Sequence, residues 1–190
     1  MLQERQAETL LDGILVLGFY AARDHAIFST FLFTAIRVSE LINLKINDLD
    51  FEDNLILIRD GKGGKDRVVP MIPRLKATLQ HYLNTGVVMK KTKKGKLGAD
   101  RSQSGRDLFV SPEKGDEAWL FLNKNGDKFS DKGISYLFKE YAQKLGIYEK
   151  GMSLHALRRS CLTYLYKEGV DLLSLKKFQV TPKYRHLNII

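Results

Sequence analysis

Cysteine is almost absent: Cys161 is the only one in 190 residues. No intrachain disulfide can form, and a single cysteine fits a reducing compartment. Cys161 falls inside a helical pattern, where a small buried hydrophobe is the ordinary use of the residue rather than a nucleophile. Long apolar runs are also missing. Residues 26–36 are apolar but end at Arg37, well short of the ~20 residues of a membrane span. Residues 10–19 are interrupted by Asp12 and have no basic lead, so they make no secretory signal. No internal repeat is visible. These absences point to a cytoplasmic protein without a membrane segment.

What is present is a core and a positive charge. Hydrophobic residues make up 44% and charged residues 28%, which excludes disorder and fits a globular chain. A length of 190 residues is most simply one domain, 1–190. The formal charge is +9 and the isoelectric point about 9.5, so a polyanion is the natural partner, with an unspecialised basic surface as the plain alternative.

The periodicity predicts a mostly helical α+β chain with one small antiparallel sheet. A first helix covers 2–17 and a connector 18–22. Asp24 caps a second helix over 26–33, apolar nearly all round and therefore central. A break at Thr34–Ala35 precedes a third helix over 37–44. Residues 54–59 (NLILIR) read as a strand, 60–65 (DGKGGK) as a tight turn and 66–71 as the returning strand. A helix over 73–83 has proline in its first turn. Residues 89–106 are basic and poor in large apolar groups, which reads as a long loop, either solvated or touching a nucleic-acid backbone. Residues 119–122 (WLFL) read as a short buried strand or extended segment, followed by a turn over 123–127. Ser130 caps a helix to Leu145 with Ile134, Leu137, Phe138, Tyr141 and Leu145 on one stripe, closed by Gly146. Ser153 caps a helix that buries Leu154, Leu157, Cys161, Leu162 and Leu165 and ends at Gly169. A short helix over 171–178 follows.

Three cationic motifs carry the chemistry. Arg37 leaves an apolar helix with Ser39 and Glu40 directly behind it. Lys62 sits in D-G-K-G-G-K, where glycines permit positive φ and a close ligand, although an ordinary hairpin turn would look the same. His155 and Arg158 stand three apart at a helix start, hence on one face. A helix N-terminus favours an anion, and arginine offers a planar fork for phosphate oxygens. The histidine can relay a proton. H-x-x-R alone is a common pattern, and Arg158 could equally pair with Glu40 or Asp48.

Taken in order, R-V-S-E-L, G-K-G-G-K-D-R-V-V-P and H-A-L-R-R with a downstream G-V-D-L resemble the catalytic domain of the tyrosine recombinases, the phage-integrase family. F-L-N-K-N-G-D before a helix matches the segment between hairpin and H-x-x-R. The resemblance runs from about residue 2 to 178. It implies DNA strand cutting and rejoining through a covalent 3′-phosphotyrosyl intermediate, with double-stranded DNA as partner, tetramers on paired sites, and neither metal nor small-molecule cofactor. It implies that Arg37 and Arg158 clamp the scissile phosphate, that Lys62 is the general acid on the departing 5′-oxygen, and that His155 assists proton transfer. Glu40 matches an acidic position that orients the first arginine. Lys65 and Arg67 would contact the DNA backbone at most.

The resemblance begins almost at Met1, so the family's core-binding domain is expected to lie outside this chain, whether the sequence is a fragment or a truncated gene, and residues 179–190 depart from the pattern. Laid on without gaps, Gln179–Val180–Thr181 falls where Leu-Gly-His belongs, and Ile190 where the nucleophilic tyrosine belongs. Tyr184 and His186 are the nearby candidates for nucleophile and third basic residue, both out of register. This departure sets a second expectation beside the first: a catalytically incomplete remnant that binds DNA or regulates a full-length recombinase. A type IB topoisomerase relative would share the cationic set, but the compact size and the G-K-G-G-K hairpin argue against it.

Overall fold

A computed structural model describes residues 4–17, 20–59, 66–85, 90–91, 97–98, 118–155 and 157–158. The central element is α2 (Ala21–Thr34), which follows α1 (Glu4–Leu17). Every residue from Ala26 to Thr34 is buried, as expected of a helix apolar nearly all round. α1 packs on α2 through Ala7, Leu10, Leu11 and Ile14, all with no exposed surface. α4 (Pro73–Thr85) packs on α2 as well, burying Leu75 and Leu79. α5 (Asp131–Lys144) adds a further side, where Phe28 meets Phe138 and Tyr141 with ring centroids 6.0 and 6.2 Å apart.

α2 begins five residues before the predicted 26–33 span, and Asp24 is not its cap. The Asp24 N–H already donates to the Tyr20 carbonyl at 2.9 Å, so residues 21–25 are helical, among them 21 and 22 of the predicted 18–22 connector. The Asp24 carboxylate is used sideways. It accepts from Arg23 Nε at 2.7 Å and from the Tyr141 hydroxyl at 2.8 Å, joining α2 to α5 inside the core. Burial holds its pKa above the ordinary value, against the pull of Arg23 and the Tyr141 hydrogen bond. Arg23 lies over the rings of Tyr20 and Phe129 and donates to the Leu122 carbonyl.

The break at Thr34–Ala35 is real. Ala35 takes φ 51°, ψ 24°, and its N–H closes α2 on the Phe31 carbonyl. α3 is only Val38–Ile42, shorter than the predicted 37–44, and Arg37 stands before it in extended backbone. A 3₁₀ turn over Ile46–Asp48 leads into the sheet.

The sheet has three antiparallel strands in the order β1 (Leu49–Asp50), β2 (Leu55–Ile58), β3 (Arg67–Pro70). Its register sets Ile58 opposite Arg67 and Leu55 opposite Pro70. Ile56, Ile58 and Val69 face the core. The β1 strand was not legible in the sequence, because two residues carry no period. Of the two readings of residues 119–122, strand or extended segment, the structure has no named strand there but isolated bridges, Lys45 with Trp119 and Leu122 with Lys128. Within the 89–106 stretch read as loop, β4 (Lys90–Lys91) and β5 (Leu97–Gly98) form a two-residue ladder.

Ser130 caps α5 as expected: its hydroxyl accepts from the Gly133 N–H at 3.0 Å. Ile134, Phe138 and Tyr141 are buried, with Leu137 and Leu145 packed against them. Leu154, His155, Leu157 and Arg158 are helical. The expectations for Cys161, Leu162, Leu165, Gly169 and residues 171–178 lie outside the described residues.

Candidate active site

The turn from α2 into α3 places Arg37. With α2 stopped at Ala35 and Ile36 buried, Arg37 reaches the first turn of α3 with its side chain 39% exposed. Glu40, three residues on, reaches back. Its Oε2 accepts from the Arg37 backbone N–H at 2.7 Å, satisfying a donor that the start of a helix leaves open. Its Oε1 accepts from Arg37 Nη1 at 2.9 Å.

The same carboxylate is forked by a second arginine. Arg67 at the start of β3 donates from Nη1 to Oε1 and from Nη2 to Oε2, each at 2.7 Å. Glu40 is nearly covered and Arg67 only 18% exposed. Burial alone would raise the Glu40 pKa, but the hydrogen bonds and charge of Arg67 with the bonds from Arg37 outweigh it and bring it to about 2. The three side chains carry a net single positive charge, and the exposed share of it sits on Arg37.

A parallel contact lies next door. Asp48 closes the 3₁₀ turn by accepting from the Lys45 N–H at 2.8 Å and from Arg59 Nε at 2.7 Å. Arg59 directly follows β2 and Arg67 opens β3, so both legs of the hairpin are tied to the α3 region by buried carboxylates. Beside them, Lys128 Nζ bonds the Asn43 side-chain carbonyl. Lys45 and Lys128 lie over the Trp119 ring at 5.6 and 4.5 Å.

His155 is exposed and Arg158 half-buried. Their turn is anchored by Leu154 and Leu157, which join the same apolar core as Ile36 and Leu41. Glu40 and Asp48, the carboxylates considered for Arg158, are engaged by Arg37 with Arg67 and by Arg59. Lys62, Tyr184 and His186 lie outside the described residues. The sequence reading missed Arg67, which it took for a DNA contact at most. Strand alternation held the signal: Arg67 shares a face with Val69, two residues on, and Val69 is buried. An inward arginine needs a carboxylate.

The fold is that of a recombinase catalytic region. A crystal structure of XerA recombinase superposes with a TM-score of 0.68 at 28% identity, over 93% of this chain and 53% of that one. The Phage integrase family profile matches residues 1–186, and the chain belongs to that family. Among its relatives, a tyrosine recombinase XerC of Thermodesulfovibrio yellowstonii is 32% identical over 177 residues, covering 90% of this chain and 52% of its own length. A tyrosine recombinase XerA of Pyrococcus horikoshii is 33% identical over 166 residues, 87% of this chain and 45% of its own. The chain thus spans about half the length of these relatives.

Proposed function

We propose that this chain carries the phosphoryl-transfer centre of a site-specific tyrosine recombinase or integrase acting on double-stranded DNA. The observation that carries the reading is the presentation of Arg37: backbone and guanidinium are both fixed by Glu40, while the side chain keeps 39% of its surface open to a ligand. The excess charge of +9 suits a phosphate backbone, and the family membership supports the reaction class.

In this reading Arg37 and Arg158 bond the non-bridging oxygens of the scissile phosphate and stabilise the charge that builds on them in the pentacoordinate transition state. The tyrosine oxygen forms a bond to phosphorus as the bond from phosphorus to the 5′-oxygen breaks. Lys62 delivers a proton to that 5′-oxygen. His155 assists the proton leaving the tyrosine or bonds the phosphate, with Tyr184 as the nucleophile on offer and His186 as a further basic group. The products are a 3′-phosphotyrosyl linkage and a free 5′-hydroxyl, and attack by another strand's 5′-hydroxyl reverses the step. The chemistry calls for neither metal nor small-molecule cofactor, and strand exchange would need a homotetramer on paired sites in the cytoplasm, at the nucleoid.

A second reading, DNA binding or regulation of a full-length recombinase without cleavage, is favoured by Gln179–Val180–Thr181 standing where Leu-Gly-His is expected. A nicked suicide duplex drawn from the flanks of the gene separates the two. A covalent adduct on a denaturing gel, lost in Tyr184→Phe and reduced about 100-fold or more in Arg37→Ala, supports the recombinase with Tyr184 as nucleophile. An adduct that survives Tyr184→Phe moves the nucleophile to another tyrosine. Salt-sensitive binding without any adduct supports the second reading.

A further inference from the structure

Glu40 offers two oxygens, and a carboxylate has about four lone-pair sites for donors. Four hydrogen bonds fill them: two from Arg67 side-chain nitrogens, one from Arg37 Nη1 and one from the Arg37 backbone N–H. Arg67 takes the forked, bidentate arrangement, with both contacts at 2.7 Å. Among the described residues, the Arg37 side chain makes one bond to Glu40, at 2.9 Å.

This division matters because a buried carboxylate draws in whatever cation is nearest. Without Arg67, Glu40 would be a nearly covered anion still bonded by the Arg37 guanidinium. A guanidinium beside an open carboxylate closes into the same two-point fork. Arg37 would then spend its fork on Glu40 and keep less of it for a phosphate.

We propose that Arg67 is a positioning residue for Arg37: by occupying both oxygens of Glu40 it restricts Arg37 to one side-chain bond and leaves the rest of its guanidinium open to a phosphate. The inference rests on the reading of Arg37 as a phosphate clamp, and it gives Arg67 a role that needs no contact with DNA. The exposures agree, at 18% for Arg67 and 39% for Arg37. So does the site of Arg67 on a strand rather than a loop, since strand pairing with Ile58 fixes its backbone.

The test uses the whole chain and phenylglyoxal, a reagent that modifies accessible guanidinium groups, with the rate at each arginine read by peptide mass spectrometry. In Arg67→Gln the Arg37 labelling rate should fall about tenfold or more, the factor by which one charge-assisted hydrogen bond biases an open–closed equilibrium. In Glu40→Gln/Arg67→Gln the carboxylate that bonds Arg37 is gone, and Arg37 labelling should return to at least the wild-type rate. Arg67→Lys, whose ammonium cannot fork the carboxylate, should fall between. A merely structural role for Arg67 would leave Arg37 selectively unaffected, or would raise labelling at every arginine together.

Arg37 labelling at the wild-type rate in a folded Arg67→Gln chain, checked by circular dichroism, would overturn the proposal. So would failure of the double variant to recover. Should Arg67→Gln not fold, the same criterion applies to Arg67→Lys. The labelling involves no DNA, so a wild-type chain that forms no adduct counts against the recombinase reading alone. Where adducts do form, Arg67→Gln should slow the cleavage step about 100-fold, as expected for a misplaced group, with duplex affinity nearly unchanged.

Discussion

Replacing Glu40 with glutamine keeps the shape of the side chain and removes its charge, so the variant resembles the wild type with Glu40 protonated. The Glu40 pKa falls from an ordinary 4.5 to about 2 in the folded chain. At ~1.4 kcal/mol per unit, the ionised carboxylate contributes about 3 kcal/mol to folding at neutral pH. Because the folded pKa lies below the unfolded one, that contribution is complete above about pH 5 and is lost as pH falls to about 2. Solvent screening does not reduce the figure much, since the side chain is only 4% exposed. Urea unfolding of the wild type and Glu40→Gln across this range should give stabilities about 3 kcal/mol apart near neutrality, converging at the acid end. Other carboxylates titrate over the same range but cancel in the difference. A gap that stays constant with pH would show that Glu40 is not held ionised by Arg67 and Arg37, and would remove the electrostatic basis of the site.

Two further outcomes test the scaffold. Tyr141→Phe deletes the hydroxyl that donates to buried Asp24 at 2.8 Å and should cost about 1–3 kcal/mol in urea unfolding; a loss below a few tenths would mean that the Arg23 pairing suffices. Gly13→Ala would drive a Cβ into the Leu145 side chain, and the overpacking, about 1–3 kcal/mol, should outweigh a helix-propensity gain of about 1 kcal/mol. The melting temperature should therefore fall, and Leu145→Ala in the same chain should recover part of the loss; a rise in the single variant would show that Leu145 yields freely.

Periodicity and caps were the legible parts of this chain. The apolar run 26–33 announced α2, the 134–138–141 stripe announced α5, and Ser130 announced its start. Each of these is a local property, in which side chains repeat on one face or an oxygen meets an N–H three residues on. The order of the arginine, lysine and H-x-x-R motifs resembled the family before any coordinates, since motif order along a chain survives without knowledge of contacts.

What the sequence alone determined, then, was which segments coil, which face of each is apolar, and which family the motif order fits. The tertiary structure decided where the charges go. Asp24 looked like a cap and became a buried bond between α2 and α5, because burial favours whatever donor the core supplies, and the core supplied Arg23 and Tyr141. Arg67 looked like a DNA contact and became the partner of Glu40, 27 residues away along the chain. An ion pair across that separation has no period in sequence; only the folded chain brings the Glu40 carboxylate of α3 to Arg67 at the start of β3.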